Sequence, residues 1–346
     1  MKPDVTIVIP GFGRPDFLPD LLSSIQEQTV LNRVAEVIVS EDGGTRRLEQ
    51  IAGEFKNLPI RYASRKSSLG LLGHHKVLLC EEPTTSLTAL LHDDDWWAPD
   101  HLETACSLLD NNPSCAAVFA NIYDGYGSKS PMEINFHNWG WRAWVASGCD
   151  FQQKALHLDL IGVLMACMLD ATFHFSTMVG RSAAVREAFL EVVSTKNEFD
   201  CDRTFPVFLA KLGGIDFVTK PSAFIRLHPA QETQRYVRSV DCMAWKTETT
   251  RWMVSRWPHE AREAADRFNR EINSMSPVLR KKLSNLTAEP LKSLLIDNCG
   301  FHLYRETPLK NLRWALRQVA PPVVLNIYRQ LRKRFRNRLP DFIICL

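Results

Sequence analysis

The chain has 346 residues, of which 45% are hydrophobic and 23% are charged, and its formal net charge is +3. These values are typical of a globular protein with a sizeable core, and they exclude a collagen-like, low-complexity or largely disordered chain. Its nine cysteines are scattered without a Cys-x-x-Cys pair, which argues against a disulfide framework and a structural zinc site and favours a reducing cytosol.

The first part of the chain alternates between strand and helix patterns. Continuous apolar runs predict four buried strands, at 5–10, 34–40, 60–63 and 87–92. Apolar residues at helical spacing predict three helices, at 14–28, 70–82 and 99–110. This alternation predicts an α/β fold with a mostly parallel sheet flanked by helices. Ligands of such sheets bind beyond the carboxyl ends of the strands, where Gly11, Asp42 and Asp93 follow.

Three adjacent carboxylates, Asp93, Asp94 and Asp95, stand where the fourth predicted strand ends. Carboxylates this close repel one another and raise each other's pKa, so folding gains nothing from them unless a cation or several hydrogen-bond donors neutralise them. This acid run therefore points to a bound metal ion. The alternative is that Asp93 caps a helix and Asp95 is merely solvated.

The pattern is less regular between residues 123 and 173. His137, Trp139, Trp141 and Trp144 lie in a glycine-rich stretch, and a largely apolar, helix-like run covers 156–169. Because indole rings stack on the apolar faces of sugars, these tryptophans would suit a sugar-binding face. Packing within a lid or a core is the equal alternative.

A second regular region covers 198–228, with a predicted helix up to 211 and predicted strands up to 218 and over 224–228. After about residue 235 the pattern becomes mainly helical, with charged faces interrupted by prolines. We therefore expect one domain over 1–235 and a C-terminal helical region over 236–346.

Three motifs, taken in order, carry a family resemblance: VTIVIPGFGR at 5–14, EVIVSEDGG at 36–44, and LHDDD at 91–95 with Pro99-Asp100 after it. Together they resemble the nucleotide-sugar-binding half of the family 2 glycosyltransferases, over roughly residues 4–230. The resemblance implies a GT-A fold, which is Rossmann-like, followed here by a C-terminal helical extension. It also implies an inverting transfer of a sugar from a nucleoside-diphosphate donor, with UDP as the expected nucleotide, to an acceptor hydroxyl.

The resemblance assigns the nucleobase pocket to the segment after the first strand, on Pro10 and Phe12, and Arg14 in the same segment is a further candidate for binding the nucleotide sugar. Asp42 matches the acid that accepts a hydrogen bond from uracil in this family, and a carboxylate at a strand end is chemically suited to that role. A turn-capping role is the alternative for Asp42.

The family's Asp-x-Asp signature falls on His92-Asp93-Asp94, so the resemblance implies that Asp94 binds the metal ion. His92 replaces the first acid, which leaves Asp93 to contact the donor and Asp95 as a further metal ligand. His228, in an Arg-x-His sequence like that of the family, is the remaining candidate ligand, with a structural role as its alternative. Carboxylate and diphosphate oxygens suit Mg²⁺ or Mn²⁺, which would offset the charge of the leaving group.

Two basic residues, His75 and Lys76, follow a glycine-containing stretch like the one that opens a helix near the nucleotide in this family. Helix N-termini favour phosphate, so the resemblance places both residues near the diphosphate. A solvated helix face is the alternative.

The family's base for the acceptor hydroxyl lies before a helix, at a fixed distance from a Leu-Gly pair. Counting back from Leu212-Gly213 places this base on Asp202. Cys201 stands where the family has Glu, so Asp200 is the second candidate. A helix N-cap is the alternative for Asp202.

The stretch from Arg305 to Leu346 holds ten Lys/Arg and two acids, and apolar residues recur in it at helical spacing. Such a basic tail is typical of an amphipathic helix on an anionic membrane, with a helix pair packed on the catalytic domain as the equal alternative. We expect no nucleic-acid partner, because no recognition motif accompanies the charge. With no signal-peptide pattern before Val5 and no membrane-spanning apolar run, we expect a cytoplasmic protein, peripheral on the inner face of the cell membrane.

The expected function is thus a metal-dependent glycosyltransferase of cell-surface polysaccharide or lipid-linked oligosaccharide synthesis, with a saccharide or lipid-linked acceptor. A catalytically silent nucleotide-sugar-binding scaffold at the membrane is the alternative, since His92 and Cys201 depart from the family pattern. A nucleotidyltransferase ranks third, because its phosphate loop needs more Gly and Lys than the segment 11–14 contains.

Overall fold

The computed structural model describes residues 2–43, 46–126, 133–137, 140–147, 153–195, 200–228, 231, 241–274, 295–296 and 300–301. The predicted basic tail from Arg305 and Trp139 lie outside the described residues, as do the side chains of His137, Trp141 and Trp144. Within the described ranges, no helix is both long enough and apolar enough to cross a membrane.

A sheet of ten strands lies at the centre of the fold. The strands are β1 (Val5–Gly11), β2 (Val34–Glu41), β3 (Ile60–Ser64), β4 (Leu87–Leu90), β5 (Trp96–Trp97), β6 (Ala117–Tyr126), β7 (Glu133–His137), β8 (Ala155–Leu158), β9 (Val179–Arg181) and β10 (Ile215–Leu227). Eight of them follow the order β3-β2-β1-β4-β9-β6-β10-β5, while β7 pairs with β6 and β8 with β10.

The helices flank this sheet. They are α1 (Leu18–Gln26), α2 (Arg47–Glu54), α3 (Gly70–Lys76), α4 (His101–Asn111), α5 (Gly140–Ser147), α6 (Leu160–Leu169), α7 (Ser182–Thr195), α8 (Cys201–Gly213), α9 (Asp241–Arg256) and α10 (Pro258–Ser274). A π-helical turn, Val77–Glu81, continues α3, so the predicted helix over 70–82 is present but changes its hydrogen-bond pattern midway.

The sheet is parallel in its first half and mixed in its second. β1 pairs in parallel with β2 and β4, and β2 with β3, as the alternation of strands and helices predicts. β6 and β10 are also parallel, whereas the short strands β5, β7, β8 and β9 join antiparallel. The predicted α/β fold is confirmed.

Some local predictions were wrong. The apolar run 156–169 is not one helix, because Asp159 separates β8 from α6 and caps α6 by accepting from the Gly162 N–H at 2.8 Å. The two predicted strands ending at 218 and spanning 224–228 belong to one strand, β10, whose register shifts around Pro221. Neither β9 nor α7 was predicted.

Two hydrophobic clusters cover the two faces of the sheet. β1 contributes Val8 to one cluster and Ile7 and Ile9 to the other, which is why its whole apolar run is buried. The cluster that holds Val8 also takes residues from α5, α6 and α8 and from the C-terminal helices α9 and α10. The helices beyond residue 235 therefore share a core with the sheet, and the domain boundary there stays a prediction.

Candidate functional site

β1, β2 and β4 end at one edge of the sheet. Gly11 lies opposite Glu41 at the end of the β1–β2 pair, and β4 pairs with β1 up to Leu90. A Cβ atom on Gly11 would displace the end of the Leu48 side chain and would lie 3.0 Å from the Ser40 carbonyl oxygen, so a glycine suits this close packing. The residues that follow each strand, Phe12 among them, therefore gather at the same edge, as expected for a parallel sheet.

Asp93 and Asp94 are buried and share one cation, the guanidinium of Arg14. Arg14 Nη1 donates to Asp93 Oδ1 at 3.0 Å and to Asp94 Oδ2 at 2.6 Å. The Phe12 N–H donates to Asp93 Oδ2 at 2.7 Å. Asp94 Oδ2 also lies 3.0 Å from His228 Nε2. These contacts bring five of the predicted site residues together.

Burial opposes ionisation of the acid run. It raises the pKa of Asp93 to about 7, where the attraction of Arg14 works against burial and the charge of Asp94 works with it. The pKa of Asp95 lies well above its ordinary range, because of burial first and the charge of Asp94 second. Positive charge or hydrogen-bond donors therefore stabilise the ionised form of these carboxylates.

Asp95 has partners different from those of Asp94. Ser176 Oγ donates to Asp95 Oδ2 at 2.5 Å, and the Arg226 N–H donates to Oδ1 at 3.1 Å. Asp95, His92 and His174 also form a group that could hold a metal ion, with ligand atoms all within 4.8 Å of one another. Protein donors already engage this group, since His174 Nδ1 accepts from the Ser176 N–H at 3.2 Å.

His92, at the position of the family's first acid, is linked to His75, with 3.4 Å between their Nε2 atoms. His75 Nδ1 lies 2.9 Å from the Leu71 carbonyl oxygen, which can only accept, so Nδ1 carries the proton. Burial lowers the pKa of His75 to about 4, so the ring is neutral and its Nε2 accepts from His92. The next residue, Lys76, forms an ion pair with Glu81 at 3.4 Å.

Arg226 connects the end of β10 to the rest of the site. Its buried guanidinium donates from Nε to the Asp94 carbonyl oxygen at 3.0 Å and from Nη2 to Asp20 Oδ2 at 2.8 Å. The guanidinium carbon also lies 4.4 Å from the centre of the Phe17 ring. Arg226 thus fixes β10 against α1 and the acid run, which holds His228 beside Asp94.

Asp42, at the end of β2, accepts hydrogen bonds at the start of α3. Its donors are Ser68 Oγ at 2.7 Å, Leu69 N at 2.8 Å and Gly70 N at 3.1 Å. Phe12, beyond the neighbouring strand β1, leaves 39% of its surface exposed. An exposed aromatic ring and a carboxylate at adjacent strand ends are groups that can stack on a base and accept its hydrogen bond. Pro10 is buried within β1 and shapes this segment through its backbone.

The two candidate bases lie at the start of α8. Asp200 is buried and accepts from Arg203 Nη1 at 3.0 Å, which gives it a fixed ion pair. Asp202 is half-buried, and burial of its carboxyl group first and the charge of Asp200 second raise its pKa to about 7. A carboxylate that changes protonation near neutral pH suits general-base catalysis, so Asp202 is the better placed of the two.

Sequence patterns did not indicate several residues that the structure adds to this region. His174 and Ser176 lie at the short 3₁₀ turn Phe175–Thr177, whose few residues carry no periodic signal. Lys246 belongs to α9, beyond the predicted domain boundary. A signal did exist for Arg203, because it lies three residues after Asp200, a spacing at which an arginine and an aspartate can pair.

Comparison with known proteins gives a family-model match over part of the chain and a shared fold. A family model described as glycosyl transferase family 2 matches residues 6–168. Two crystal structures of S. aureus TarS 1-349 match with TM-scores of 0.54 and 0.50: one in complex with UDP-GlcNAc, at 13% identity over 82% of this chain and 79% of that chain, and one in complex with UDP, at 15% identity over 85% and 78%.

A mannosyltransferase from Pyrobaculum calidifontis in complex with GDP-Man and Mn²⁺ matches with a TM-score of 0.49, at 13% identity over 88% of this chain and 82% of that chain. The comparison with curated proteins gives no match. At these identities the TarS structures show a shared fold, the GT-A fold.

Proposed function

We propose that this chain, whose residues 6–168 match the glycosyl transferase family 2 model, catalyses a metal-dependent, inverting transfer of a sugar from a UDP-linked donor to an acceptor hydroxyl. The observation that carries the proposal is the cluster of Asp94, Arg14 and His228 at the end of the parallel strands. There the Asp94 carboxylate lies 2.6 Å from the Arg14 guanidinium and 3.0 Å from the His228 imidazole. Such a cluster is suited to binding a diphosphate with a divalent cation.

Asp94 and His228 fit a divalent cation. Asp94 Oδ2 and His228 Nε2 lie 3.0 Å apart, which allows both atoms to reach one ion, and an imidazole ligand beside the carboxylate suits Mn²⁺ better than Mg²⁺. Mg²⁺ is the alternative ion, and Asp95 remains a proposed ligand of lower rank because Ser176 and Arg226 engage it. When bound, the cation supplies Lewis-acid stabilisation of the leaving diphosphate.

The donor lies along the strand ends in this proposal. Phe12 stacks on the base, and Asp42 accepts its ring N–H. Arg14 contacts Asp93 and Asp94, and its guanidinium would donate to the diphosphate at this edge of the sheet. Pro10, His75, Lys76 and Asp93 complete the donor side.

Asp202 is the base of the transfer. It takes the proton of the acceptor hydroxyl as that oxygen forms a bond to the anomeric carbon. The bond from this carbon to the diphosphate oxygen breaks at the same time, and its electron pair leaves with the nucleoside diphosphate. Attack from the face opposite the leaving group inverts the anomeric carbon. Asp200 is the second candidate for this role.

Nucleoside-diphosphate release from a panel of donors with Mn²⁺ tests the proposal. The panel includes UDP-GlcNAc, the compound in the TarS complex of the same fold, and GDP-mannose. We expect release from a UDP-sugar, and Asp42→Ala should raise KM for it roughly tenfold or more while kcat changes little. Preference for GDP-sugars would overturn the uracil assignment. Donor binding without turnover with any acceptor would favour the silent scaffold.

We propose a saccharide or lipid-linked acceptor of cell-surface polysaccharide or lipid-linked oligosaccharide synthesis, reached by the basic tail at the inner face of the cell membrane. At about 1 kcal/mol per basic residue, replacing Arg329, Arg332 and Arg336 with Gln should weaken binding to anionic liposomes roughly 100-fold. Flotation with anionic and with neutral vesicles measures this. Equal flotation of the substituted chain, or of a chain lacking 305–346, would contradict a membrane role.

A further inference from the structure

A network of buried charges surrounds the start of α8, where Asp202 lies. Its central residue is Arg203, which is completely buried. Arg203 Nε donates to the Cys167 carbonyl oxygen at 2.8 Å, at the end of α6. Nη1 donates to Asp200 Oδ2 at 3.0 Å and to the Lys246 carbonyl oxygen at 2.8 Å. One guanidinium therefore connects α6, α8 and the C-terminal helix α9.

Lys246 makes the second connection from α9. Its Nζ donates to Asp170 Oδ1 at 2.7 Å, just beyond the end of α6. The other oxygen of Asp170 lies 3.7 Å from Arg142 Nη2, on α5. Burial alone would raise the pKa of Asp170, but attraction by Arg142, Lys246 and Arg203 outweighs it and lowers this pKa to about 2. Asp170 is therefore ionised at all working pH values and holds the ammonium group of Lys246 in place.

From this geometry we infer that Lys246 is a positioning residue for the general base, so that α9 is part of the transfer site. The inference rests on the proposed role of Asp202. Lys246 is fixed twice, by its side chain to Asp170 and by its carbonyl to Arg203, and Arg203 is fixed in turn to the first turn of α8. The positive charge of Lys246 favours the ionised form of Asp202, which is the form that accepts a proton.

Charges of both signs act on Asp202. The ionisable groups are Asp200, Cys201 and Arg203 on its own helix, Cys167 and Asp170 on and just after α6, Arg142 on α5, and Lys246 on α9. Asp200 and Asp170 raise the pKa of Asp202, whereas Lys246 and Arg203 lower it. Removing a cation and removing an anion from this network should therefore shift the pKa of Asp202 in opposite directions.

The pH dependence of kcat/KM in the full chain tests the inference. Lys246→Met should move the rise of kcat/KM about one pH unit upward, which lowers the value about tenfold at pH 6 and leaves it near wild type at about pH 9. Asp170→Asn should move the same rise downward. Lys246→Arg should restore the wild-type profile, and Lys211→Met, on the exposed end of α8, should leave it unchanged.

Loss of activity without a shift of the profile, with either variant, would overturn the inference, because a purely structural defect lowers activity at every pH. Thermal unfolding of each variant shows whether it folds, and a carboxyl ¹³C titration of Asp202 reports its pKa without turnover. A different result would contradict the proposed function: full turnover in Asp202→Asn would show that Asp202 is not the general base. If Asp202→Asn is inactive but Lys246→Met leaves the pH profile of kcat/KM unshifted, only the role of Lys246 is contradicted.

Discussion

Asp94→Asn is expected to lower Mn²⁺-dependent turnover about 100-fold to 1,000-fold. The substitution keeps the shape of the side chain but removes the negative charge that Arg14 and His228 contact on Asp94 Oδ2. A bound cation contributes several kcal/mol to stabilising charge in the transition state, and each 1.4 kcal/mol corresponds to about tenfold in rate. Turnover as a function of Mn²⁺ concentration measures the loss, and electron paramagnetic resonance of Mn²⁺ measures binding directly.

Asp16→Asn is the matched control for this prediction. Asp16 is an exposed acid on the same connection between β1 and α1 that carries Arg14. Its substitution changes the net charge equally, so it should leave both turnover and Mn²⁺ binding at the wild-type level. Full turnover in Asp94→Asn would show that the cation is held elsewhere, and the group of His92, Asp95 and His174 would become the first site to test.

Asp202→Asn should lower kcat about 100-fold to 10,000-fold, the range expected when a general base is lost. In the wild type, kcat/KM should rise with pH through about 7, because the pKa of Asp202 is raised to about that value. The residual activity of Asp202→Asn should lack this rise. If Asp202→Asn keeps its activity while a folded Asp200→Asn loses it, the base is Asp200.

Stability gives an independent check on Asp202. Its folded pKa of about 7 lies above the ordinary value of an aspartate, near 4, so the folded state binds more protons between these pH values. The free energy of unfolding should therefore fall as pH rises across this window. Asp202→Asn should remove part of that fall. An identical pH dependence of stability in both proteins would show that the pKa of Asp202 is not raised.

Local patterns predict the half of the site that belongs to β1, β2 and β4. These strands contribute buried residues to both faces of the sheet, so they are largely apolar and the charged residues that follow them stand out. Asp94 and Asp42 could therefore be placed at strand ends before any contact was known. Arg14 directly follows β1, but its contacts with Asp93 and Asp94 join residues 79 and 80 positions apart, and the sequence did not predict them.

The other half depends on residues that are distant in sequence. Ser176 reaches Asp95 across 81 positions, and Lys246 reaches Asp170 across 76. Such pairs cannot be predicted from periodicity, because periodicity relates a residue only to its near neighbours in the same helix or strand. β9 has three residues, too few for alternation to be visible, and Asp159 caps α6 inside a run that hydrophobicity alone joins to β8. In both places tertiary pairing decides the structure.

The bonds from β10 to the acid run set an order for the maturation of the newly made chain. Asp95 accepts from the N–H of Arg226, which lies 131 positions later in the chain, and Asp94 contacts His228, which lies 134 positions later. At about 5–20 residues per second, synthesis of this intervening stretch takes roughly 7–27 s. During that time the first four strands, the acid run and Arg14 have been synthesised, but Arg226 and His228 have not. β10, the last strand in chain order, thus completes both the described sheet and the protein contacts of the acid run.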